Sequence, residues 1–277
     1  MSDGPTPQVL PDALHEDGVR KHLSTGWVAA RLVCSAQTDS TNSDAAALGR
    51  EGAAGGTVVI ADAQRAGRGR LGRSWVSTPG VNLYASVLMR PQIAAAEAPQ
   101  LSLVAGVAVA ATLEREGLAP RIKWPNDVLL EGRKVCGILT EVEADADRVG
   151  FVVIGVGVNL NSTLEHFPAE LHDKATSVLL ASGRRVDRER FAAGLLGELE
   201  RCYERFVAGG FAALAPEWNS RAALLGSQVN VSGAGEQVNG RCLGIDRDGA
   251  LLVEERAGVE PRRVLAGDVT LIGGYER

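Results

Sequence analysis

The stretch TVVIADAQRAGRGRLGRSWVSTPGVNLYASVLM spans residues 57–89 and places two strand signals around a segment rich in arginine and glycine. Residues 57–61 form a β-branched, apolar run next to glycine, and residues 81–89 form a second apolar run of strand character. The segment between them is polar and rich in glycine, which is typical of connections. The sequence therefore predicts a long loop held between two strands.

Further strands and helices are predicted on both sides of this stretch. The remaining strands of the main part cover residues 31–35, 121–124, 133–143 and 151–160. The predicted helices cover residues 14–23, 45–50, 101–116 and 187–207, and a shorter one ends at Arg221. Polar residues 39–44 offer N-caps to the second of these helices. No internal repeat interrupts this order.

The character of the sequence changes near residue 226. Short strands at 229–231, 237–245, 250–254 and 262–265 are separated by Gly, Asp-Gly and Pro signals, which is typical of a small β-barrel. A chain of 277 residues is long enough for a main domain and a small satellite. We therefore expect a lead-in over residues 1–30, a main domain over 31–225 and a barrel over 226–277.

Composition limits the classes of partner and cofactor. The formal net charge of -5 provides no general attraction to nucleic acid or to anionic lipid, so neither is expected as a partner. Any anion site must then come from a local cluster of arginines. The four cysteines form no CxxC pair and the four histidines show no ligand spacing with them, so neither a zinc site nor a disulfide is indicated.

The sequence also bears on localisation. The first residues lack the basic and apolar regions of a signal peptide. The longest apolar run, residues 101–113, is shorter than the ~20 residues that span a bilayer. We expect a cytoplasmic protein.

The loop between the first two strands has the chemistry of an anion site. Residues 64–73 contain four arginines and three glycines. Arginine matches carboxylate and phosphate oxygens bidentately, and glycine lets backbone N–H groups approach the same oxygens. Such a loop suits a carboxylate and a phosphate held together. The alternative is a solvated, flexible basic loop.

Two familiar nucleotide motifs do not explain the loop. Residues 67–72 match G-x-G-x-x-G literally, but residues 73–80 have the character of a strand and a turn where a dinucleotide fold would begin a helix. No glycine run is followed by the Lys-Ser or Lys-Thr of a P-loop. If ATP binds here, it binds by another geometry.

Three further motifs lie at strand ends. Lys123-Trp-Pro-Asn-Asp127 predicts a strand followed by a tight turn. Lys134 begins a strand, and Asn159 follows Gly155 and Gly157, which leave room for a bulky ligand. The ordinary alternatives are a hairpin loop for residues 123–127 and strand packing for the two glycines.

The motifs, in this order, closely resemble those of the biotin protein ligase family. They are Ser40-Thr-Asn42, Gln64 with Gly67-Arg-Gly-Arg70, Lys123-Trp-Pro-Asn-Asp127, Lys134-x-x-Gly-Ile138 and Gly155-x-Gly-x-Asn159. The resemblance covers residues 37–160, and the terminal barrel agrees with it. It implies an α+β fold: a mixed-sheet catalytic domain related to class II aminoacyl-tRNA synthetases and lipoate ligases, then a small SH3-like barrel.

The resemblance also implies a reaction in two steps. Biotin and ATP with Mg²⁺ give biotinyl-5′-AMP and pyrophosphate, and a lysine of the biotin carboxyl carrier protein domain of an acyl-CoA or acetyl-CoA carboxylase then accepts biotin. No metal site made by the protein itself is implied. Lys134, Arg68 and Arg70 are the implied catalytic residues: Arg68 meets the biotin carboxylate, Arg70 faces the adenylate phosphate, and Lys134 lies at both reacting groups.

The implied binding residues fall into two overlapping sets. Biotin would be bound by Ser40, Thr41, Asn42, Gln64, Gly67, Arg68, Gly69, Lys134, Gly137, Gly155 and Gly157. ATP would be bound by Arg70, Arg73, Trp75, Asn126, Asp127, Lys134 and Asn159. The alternatives are helix capping for Ser40 and Thr41, a core position for Trp75, and either a base or a turn cap for Asp127.

The sequence leaves room for other family types and other classes. Only about 30 residues precede the first predicted strand, so we expect a monofunctional ligase without the DNA-binding domain of some family members, as a monomer or weak homodimer. A lipoate or octanoate ligase would share the fold but need neither this arginine loop nor the barrel in this form. A nucleic-acid binding module would show binding that falls steeply with salt.

Overall fold

The computed structural model describes residues 13–145, 148–233 and 236–272. The first twelve residues of the expected lead-in and the last five of the expected barrel lie outside the described residues. The described chain begins with α1 (Glu16–His22). A seven-stranded sheet follows, formed by β1 (Leu32–Ser35), β2 (Val58–Ala61), β3 (Leu83–Met89), β4 (Arg121–Lys123), β5 (Asp127–Leu130), β6 (Arg133–Asp145) and β7 (Arg148–Val158).

The strand order in this sheet is β1-β2-β3-β7-β6-β5-β4. Strands β1 and β2 are parallel, and every other described neighbouring pair is antiparallel. This is the mixed sheet that the sequence predicts. The loop at residues 62–82 joins the antiparallel neighbours β2 and β3, and only a three-residue 3₁₀ turn, Arg70–Gly72, interrupts it.

Helices cover the two faces of the sheet unequally. They are α2 (Thr41–Arg50), α3 (Gln100–Arg115), α4 (Val178–Ser182), α5 (Arg188–Gly209) and α6 (Ala215–Ser220). Val152 and Ile154 of β7 belong to the large core that also contains residues of α3 and α5. Phe151 and Val153 belong to a smaller cluster with Ala45 of α2. Because neighbouring residues of a strand point to opposite faces, β7 separates the two clusters.

Helix α3 is buried on all sides, since each residue from 101 to 113 is shielded from solvent. The helical segment Ala95–Arg115 has 21 residues, and its most apolar window of 18 residues has a mean hydropathy of 1.4, so by length and composition alone it passes as a candidate membrane span. The apolar run at residues 101–113 is the shorter central part of this segment. Here 67% of the most apolar window is buried inside the protein, as in the core helix of a globular domain.

The C-terminal sheet packs directly on the helical side of the first sheet. It is formed by β8 (Gln228–Gly233), β9 (Glu236–Ile245), β10 (Leu251–Glu254), β11 (Arg262–Val264) and β12 (Asp268–Leu271), in the order β11-β10-β9-β8-β12. Buried Val229 and Leu251 belong to the same core as α3. The indole Nε1 of Trp124 donates to the carbonyl of Gly249 at 3.1 Å. A continuous core therefore fixes this sheet against the rest of the protein.

Most predicted elements are confirmed, with four differences. Helix α2 begins at Thr41, not at residue 45, so Thr41 and Asn42 lie in its first turn. Strands β5 and β12 and helix α4 were missed. Both missed strands have four residues and follow turn signals directly, at Asn126 and at Gly267, so their pattern is too short to show alternation.

Candidate active site

A cavity lies on the α2 face of the seven-stranded sheet, where glycines replace large side chains. Along β7, Phe151 and Val153 fill this face against α2, and the next two positions on the same face are Gly155 and Gly157. In register, Tyr84, Gly157, Gly137, Asp127 and Lys123 form one row across five strands. The row brings motifs that are far apart in sequence onto one surface.

The two glycines of β7 receive protein side chains. A Cβ built on Gly155 would lie 2.0 Å from Oδ1 of Asn42, and one on Gly157 would lie 2.7 to 3.0 Å from the indole of Trp75. A Cβ on Gly137, the partner of Gly157 in β6, would also lie 2.7 Å from that indole. The space beside these glycines is therefore occupied by Asn42 and Trp75 of the protein itself, whereas the sequence predicted room for a ligand. Among the described residues, the buried Nε1 of Trp75 has no hydrogen-bond partner.

A buried polar network joins the first turn of α2 to the start of the arginine loop. Both the backbone N–H and the hydroxyl of Thr41 donate to Oε1 of Gln64, at 3.0 and 3.2 Å. The Gln64 amide in turn donates to Oγ of Ser77 at 3.0 Å. Ser40 is the N-cap of α2 by backbone conformation, but within the described chain its side chain makes no capping hydrogen bond. Its buried hydroxyl lines the cavity.

Asn42 connects this network to Arg68. The fully buried hydroxyl of Ser86 donates to Oδ1 of Asn42 at 2.6 Å and lies 2.8 Å from Oγ1 of Thr41. The Asn42 amide donates to Glu141 at 2.7 Å, and Arg68 donates to the same carboxylate oxygen at 2.9 Å. One hydrogen-bonded chain therefore runs from Thr41 to Arg68.

The arginine loop is a narrow hairpin over the cavity. Arg68 and Ser74 form an antiparallel bridge, and the carbonyl of Gly67 accepts from the N–H of Trp75 at 2.8 Å. At the tip, Leu71 is exposed and has a φ of 55°, a left-handed conformation that is unfavourable for leucine. A Cβ on Gly67 would lie 2.6 Å from the carbonyl of Trp75, so glycine is required for the two arms to approach.

Arg70 and Arg73 extend from the loop to a single carboxylate of the C-terminal sheet. Arg70 donates to Oδ1 of Asp268 at 3.1 Å, to the carbonyl of Gly267 at 3.2 Å and to Oδ1 of Asn126 at 3.1 Å. Arg73 donates to the other oxygen of Asp268. Ion pairs therefore connect the loop to β12.

Two lysines complete the cluster of cations. Nζ of Lys134 lies 2.6 Å from Oδ1 of Asp127 and 5.3 Å from the centre of a Trp75 ring, within the range of a cation–π contact. Burial lowers the pKa of Lys123; Lys134 and Arg73 add to this shift, and Asp127 and Asp268 oppose it. All these groups surround one space, so an anion that enters it meets several fixed positive charges.

The two asparagines are fixed by backbone contacts. The Asn126 amide donates to the carbonyl of Ile138 at 2.9 Å, and the buried Asn159 amide donates to the carbonyl of Thr176 at 3.0 Å. Asn126 therefore orients Arg70, and Asn159 fixes the segment after β7 that forms one wall of the cavity.

The cavity has a volume of about 360 Å³, large enough for a small organic ligand. All but one of the predicted site residues line it: Ser40, Thr41, Asn42, Gln64, Arg68, Gly69, Arg70, Arg73, Trp75, Asn126, Asp127, Lys134, Gly137, Gly155, Gly157 and Asn159. The exception is Gly67, which does not line the cavity. Within residues 13–145, 148–233 and 236–272 there is no group of three or more His, Cys, Asp or Glu side chains arranged to hold a metal ion.

Sequence reasoning missed several polar residues at the site, four of which bear on its charges and hydrogen bonds. These four are Ser86, Glu141, Lys174 and Asp268. Ser86 and Glu141 show a signal in retrospect, because each interrupts an apolar strand on the face that also carries the glycines. Lys174 and Asp268 show none, because their place at the cavity depends on how distant segments pack.

The fold and the cavity together are those of a ligase that activates a carboxylic acid. Residues 34–159 match the Biotin/lipoate A/B protein ligase family, and residues 224–271 match the Biotin protein ligase C terminal domain. The structure is similar to that of a biotin protein ligase from Aquifex aeolicus in complex with biotin and ATP. The TM-score is 0.75 at 30% identity, with 88% of this chain and 99% of that one covered.

Proteins that are similar over most of the chain belong to the same class of ligase. The biotin--[acetyl-CoA-carboxylase] ligase of Mycobacterium tuberculosis is 38% identical over 277 residues, which covers 94% of this chain and 96% of the relative. That of Paracoccus denitrificans is 39% identical over 243 residues, covering 86% and 99%. The chain belongs to the biotin protein ligase family, as its motifs predict, and it is a ligase.

Proposed function

We propose that this enzyme activates biotin with ATP to biotinyl-5′-AMP and transfers the biotinyl group to a lysine of a biotin carboxyl carrier protein domain. One observation carries the proposal. Arg68, Arg70, Arg73 and Lys134 converge on the same cavity as the polar network of Thr41 and Gln64. The cavity thus offers hydrogen bonds for a polar, uncharged ring at one end and positive charge for two anions at the other.

Biotin is placed with its ureido group at the network and its carboxylate at Arg68. Ser40, Thr41 and Gln64 offer hydroxyl and amide groups of the kind that a urea carbonyl and its N–H groups require. Ser86 contacts the Thr41 hydroxyl and is itself hydrogen-bonded to Asn42, so these two residues hold Thr41 in position. Gly69, Gly137, Gly155 and Gly157 line the cavity, and the last three leave the space that Asn42 and Trp75 occupy.

The first step joins two anions. A biotin carboxylate oxygen attacks the α-phosphorus of ATP, forming a C–O–P anhydride, and the bond to the β-phosphate breaks to release pyrophosphate. Lys134 and Arg70 offset the repulsion between the reactants and stabilise the charge that the α-phosphate gains in the transition state. Arg73, Asn126 and Asn159 are assigned to the nucleotide, and Trp75 packs beside it.

Mg²⁺ accompanies ATP in this proposal. It prefers carboxylate oxygens together with substrate phosphates and retains several waters. Asp127 is a cavity carboxylate whose side chain is 21% exposed. It suits an ion that arrives on the phosphates, which supplies further neutralising charge there.

In the second step, the carrier lysine attacks the anhydride carbonyl as a free amine. An amide bond forms, the C–O bond to AMP breaks, and the amine loses a proton. Asp127 faces the cavity beside Lys134 and is available to orient that amine or to accept the proton. The arginine hairpin shields the anhydride from water until the carrier arrives.

We assign the reaction to the cytoplasm, where ATP is available and where thiols stay reduced, which agrees with the four free cysteines. The acceptor is the carrier domain of an acyl-CoA or acetyl-CoA carboxylase, and nucleic acid has no role. We also propose residues 31–225 as the catalytic unit, residues 226–277 as the C-terminal unit, and a monomer or weak homodimer as the active form.

The test is a streptavidin blot after the protein is mixed with biotin, MgATP and a carrier domain. A band is expected when biotin is supplied. Parallel reactions with lipoate or octanoate, each with its own detection, are expected to leave the carrier unmodified. A carrier whose acceptor lysine is replaced by arginine is the matched control. A blank lane with an active carrier refutes the proposal, and lipoylation in its place indicates a lipoate ligase.

A further inference from the structure

Asp268 closes the cavity from the C-terminal sheet and neutralises the arginine hairpin. Its two oxygens accept separately from Arg70 and Arg73. Arg70 donates in addition to the carbonyl of Gly267, the preceding residue. The two arginines that are assigned to phosphate therefore already hold an anion, and that anion is part of the protein.

This contact lies in a partly desolvated place. The side chains of Arg70 and Asp268 are 25% and 22% exposed, so water screens their attraction only in part. The side chain of Arg73 is more exposed, at 66%. A polyphosphate offers oxygens of the same kind with more charge, and it would be repelled by a carboxylate on the same guanidinium groups. Asp268 and a polyphosphate thus compete for Arg70 and Arg73.

The C-terminal sheet does not depend on Asp268 for its position. Trp124 donates to Gly249, and Asn219 both donates to the carbonyl and accepts from the N–H of Ile245, at 2.9 Å each. The shared apolar core adds to these contacts. The carboxylate is therefore at a fixed place, and the flexible arginine side chains are the groups that exchange partners.

We propose that Asp268 is an internal counter-ion that holds Arg70 and Arg73 while no nucleotide is bound, releases them to the phosphates of ATP, and takes them back as pyrophosphate leaves. It is a positioning residue that weakens the binding of polyphosphate and so assists product release. The inference rests on the proposed function only in placing phosphates at these two arginines.

The test uses inorganic tripolyphosphate and needs neither biotin nor a carrier. Its binding to the full chain is measured by calorimetry at low ionic strength, for the wild type, Asp268→Asn and Asp268→Glu. We expect Asp268→Asn to bind roughly fivefold more tightly, as removal of one part-exposed competitor predicts. Asp268→Glu, which keeps the charge, should stay near the wild type. The same ranking is expected for inhibition by pyrophosphate.

The matched control is Asp248→Asn, which removes the same charge from the turn between β9 and β10 of the C-terminal sheet. Asp248 is exposed, pairs with Arg263 at 3.0 Å and does not line the cavity. Its affinity for tripolyphosphate should equal that of the wild type, because exposed charges at a distance are screened. Equal or weaker binding by a folded Asp268→Asn protein overturns the inference, since the carboxylate would then not compete with phosphate for the arginines.

A second measurement needs no variant. In a crystal of the wild type with tripolyphosphate bound, the Arg70 to Asp268 distance is expected to exceed 4 Å. Persistence of the 3.1 Å contact with the ligand on Arg70 overturns the inference. Either result stands whether or not the enzyme biotinylates a carrier, so failure here and failure of the proposed function are distinguishable.

Discussion

Gly155→Ala is expected to damage the site by displacing one buried side chain. The added Cβ would lie 2.0 Å from Oδ1 and 2.8 Å from Cγ of Asn42, well inside van der Waals contact. Strand β7 is central in the sheet and cannot shift, so Asn42 must leave its rotamer. It would then lose its hydrogen bonds with Ser86, at 2.6 Å, and Glu141, at 2.7 Å, and its contact with Leu139, at 3.2 Å.

The size of the effect follows from those hydrogen bonds. Each is worth about 1 kcal/mol net, so loss of two or three costs about 2 to 3 kcal/mol. This cost lowers the free energy of unfolding, because the hydrogen bonds lie within the protein. Since Asn42 supports Thr41 and Arg68, their displacement should also weaken biotin binding by about 2 kcal/mol, roughly a thirtyfold rise in the dissociation constant.

A double-mutant cycle tests this reasoning. Biotin binding is measured by calorimetry, and unfolding by urea, for Gly155→Ala, Asn42→Ala and the double variant. If Gly155→Ala acts by displacing Asn42, it should cost little once Asn42 is alanine, so the two effects are strongly non-additive. Gly150→Ala in the same strand is the control, with its nearest contact at 3.3 Å and no place at the cavity. Simple additivity refutes the mechanism.

Three further results are expected. Lys134→Ala should slow adenylate formation at least about a hundredfold in a pyrophosphate-release assay, with the melting temperature unchanged, because a donor to the transition state is lost. Arg70→Gly should release biotinyl-5′-AMP into a filtrate and label bystander lysines, because the hairpin loses a phosphate anchor. Burial alone would raise the pKa of Glu200, but the N–H groups of Val28, Gly26 and Trp27 more than offset this and lower it. Its contribution to stability is therefore present above about pH 4.5 and lost as the pH falls below.

Each of these results has its own control. Lys21→Ala, an exposed lysine in α1, should leave adenylate formation intact, and normal activity of Lys134→Ala would remove Lys134 from its assigned role. Absence of free adenylate with Arg70→Gly would contradict the anchoring role. Glu200→Gln should abolish the part of the urea-unfolding pH dependence assigned to this group, and an unchanged profile between pH 3 and 6 would contradict the assignment.

The sequence predicts the elements well where a run is long or a motif is explicit. The β-branched run before the loop and the periodic α5 need no tertiary information, and Asp187 caps that helix as its type predicts, by accepting from Glu189 and Arg190. Strands β5 and β12 were missed because a strand of four residues gains its stability from its neighbours. Their assignment therefore needs the sheet.

The candidate site was predictable in its membership and not in its internal contacts. The order of motifs is a property of the chain, and every predicted site residue except Gly67 reaches the cavity. The sequence did not indicate that Glu141 joins Asn42 to Arg68, because the two hydrogen bonds span 99 and 73 residues. Such contacts depend on strand register.

By itself, the sequence determined the family and the membership of the arginine-rich loop, because residue type and the order of the motifs suffice for these, and the resemblance to the family then implied the mixed sheet. Only the tertiary structure decided which partner each charged group contacts. Trp75 lies over Gly137 and Gly157 because β6 and β7 pair those two glycines. Arg70 meets Asp268, 198 residues away, because a common core holds the C-terminal sheet beside the cavity.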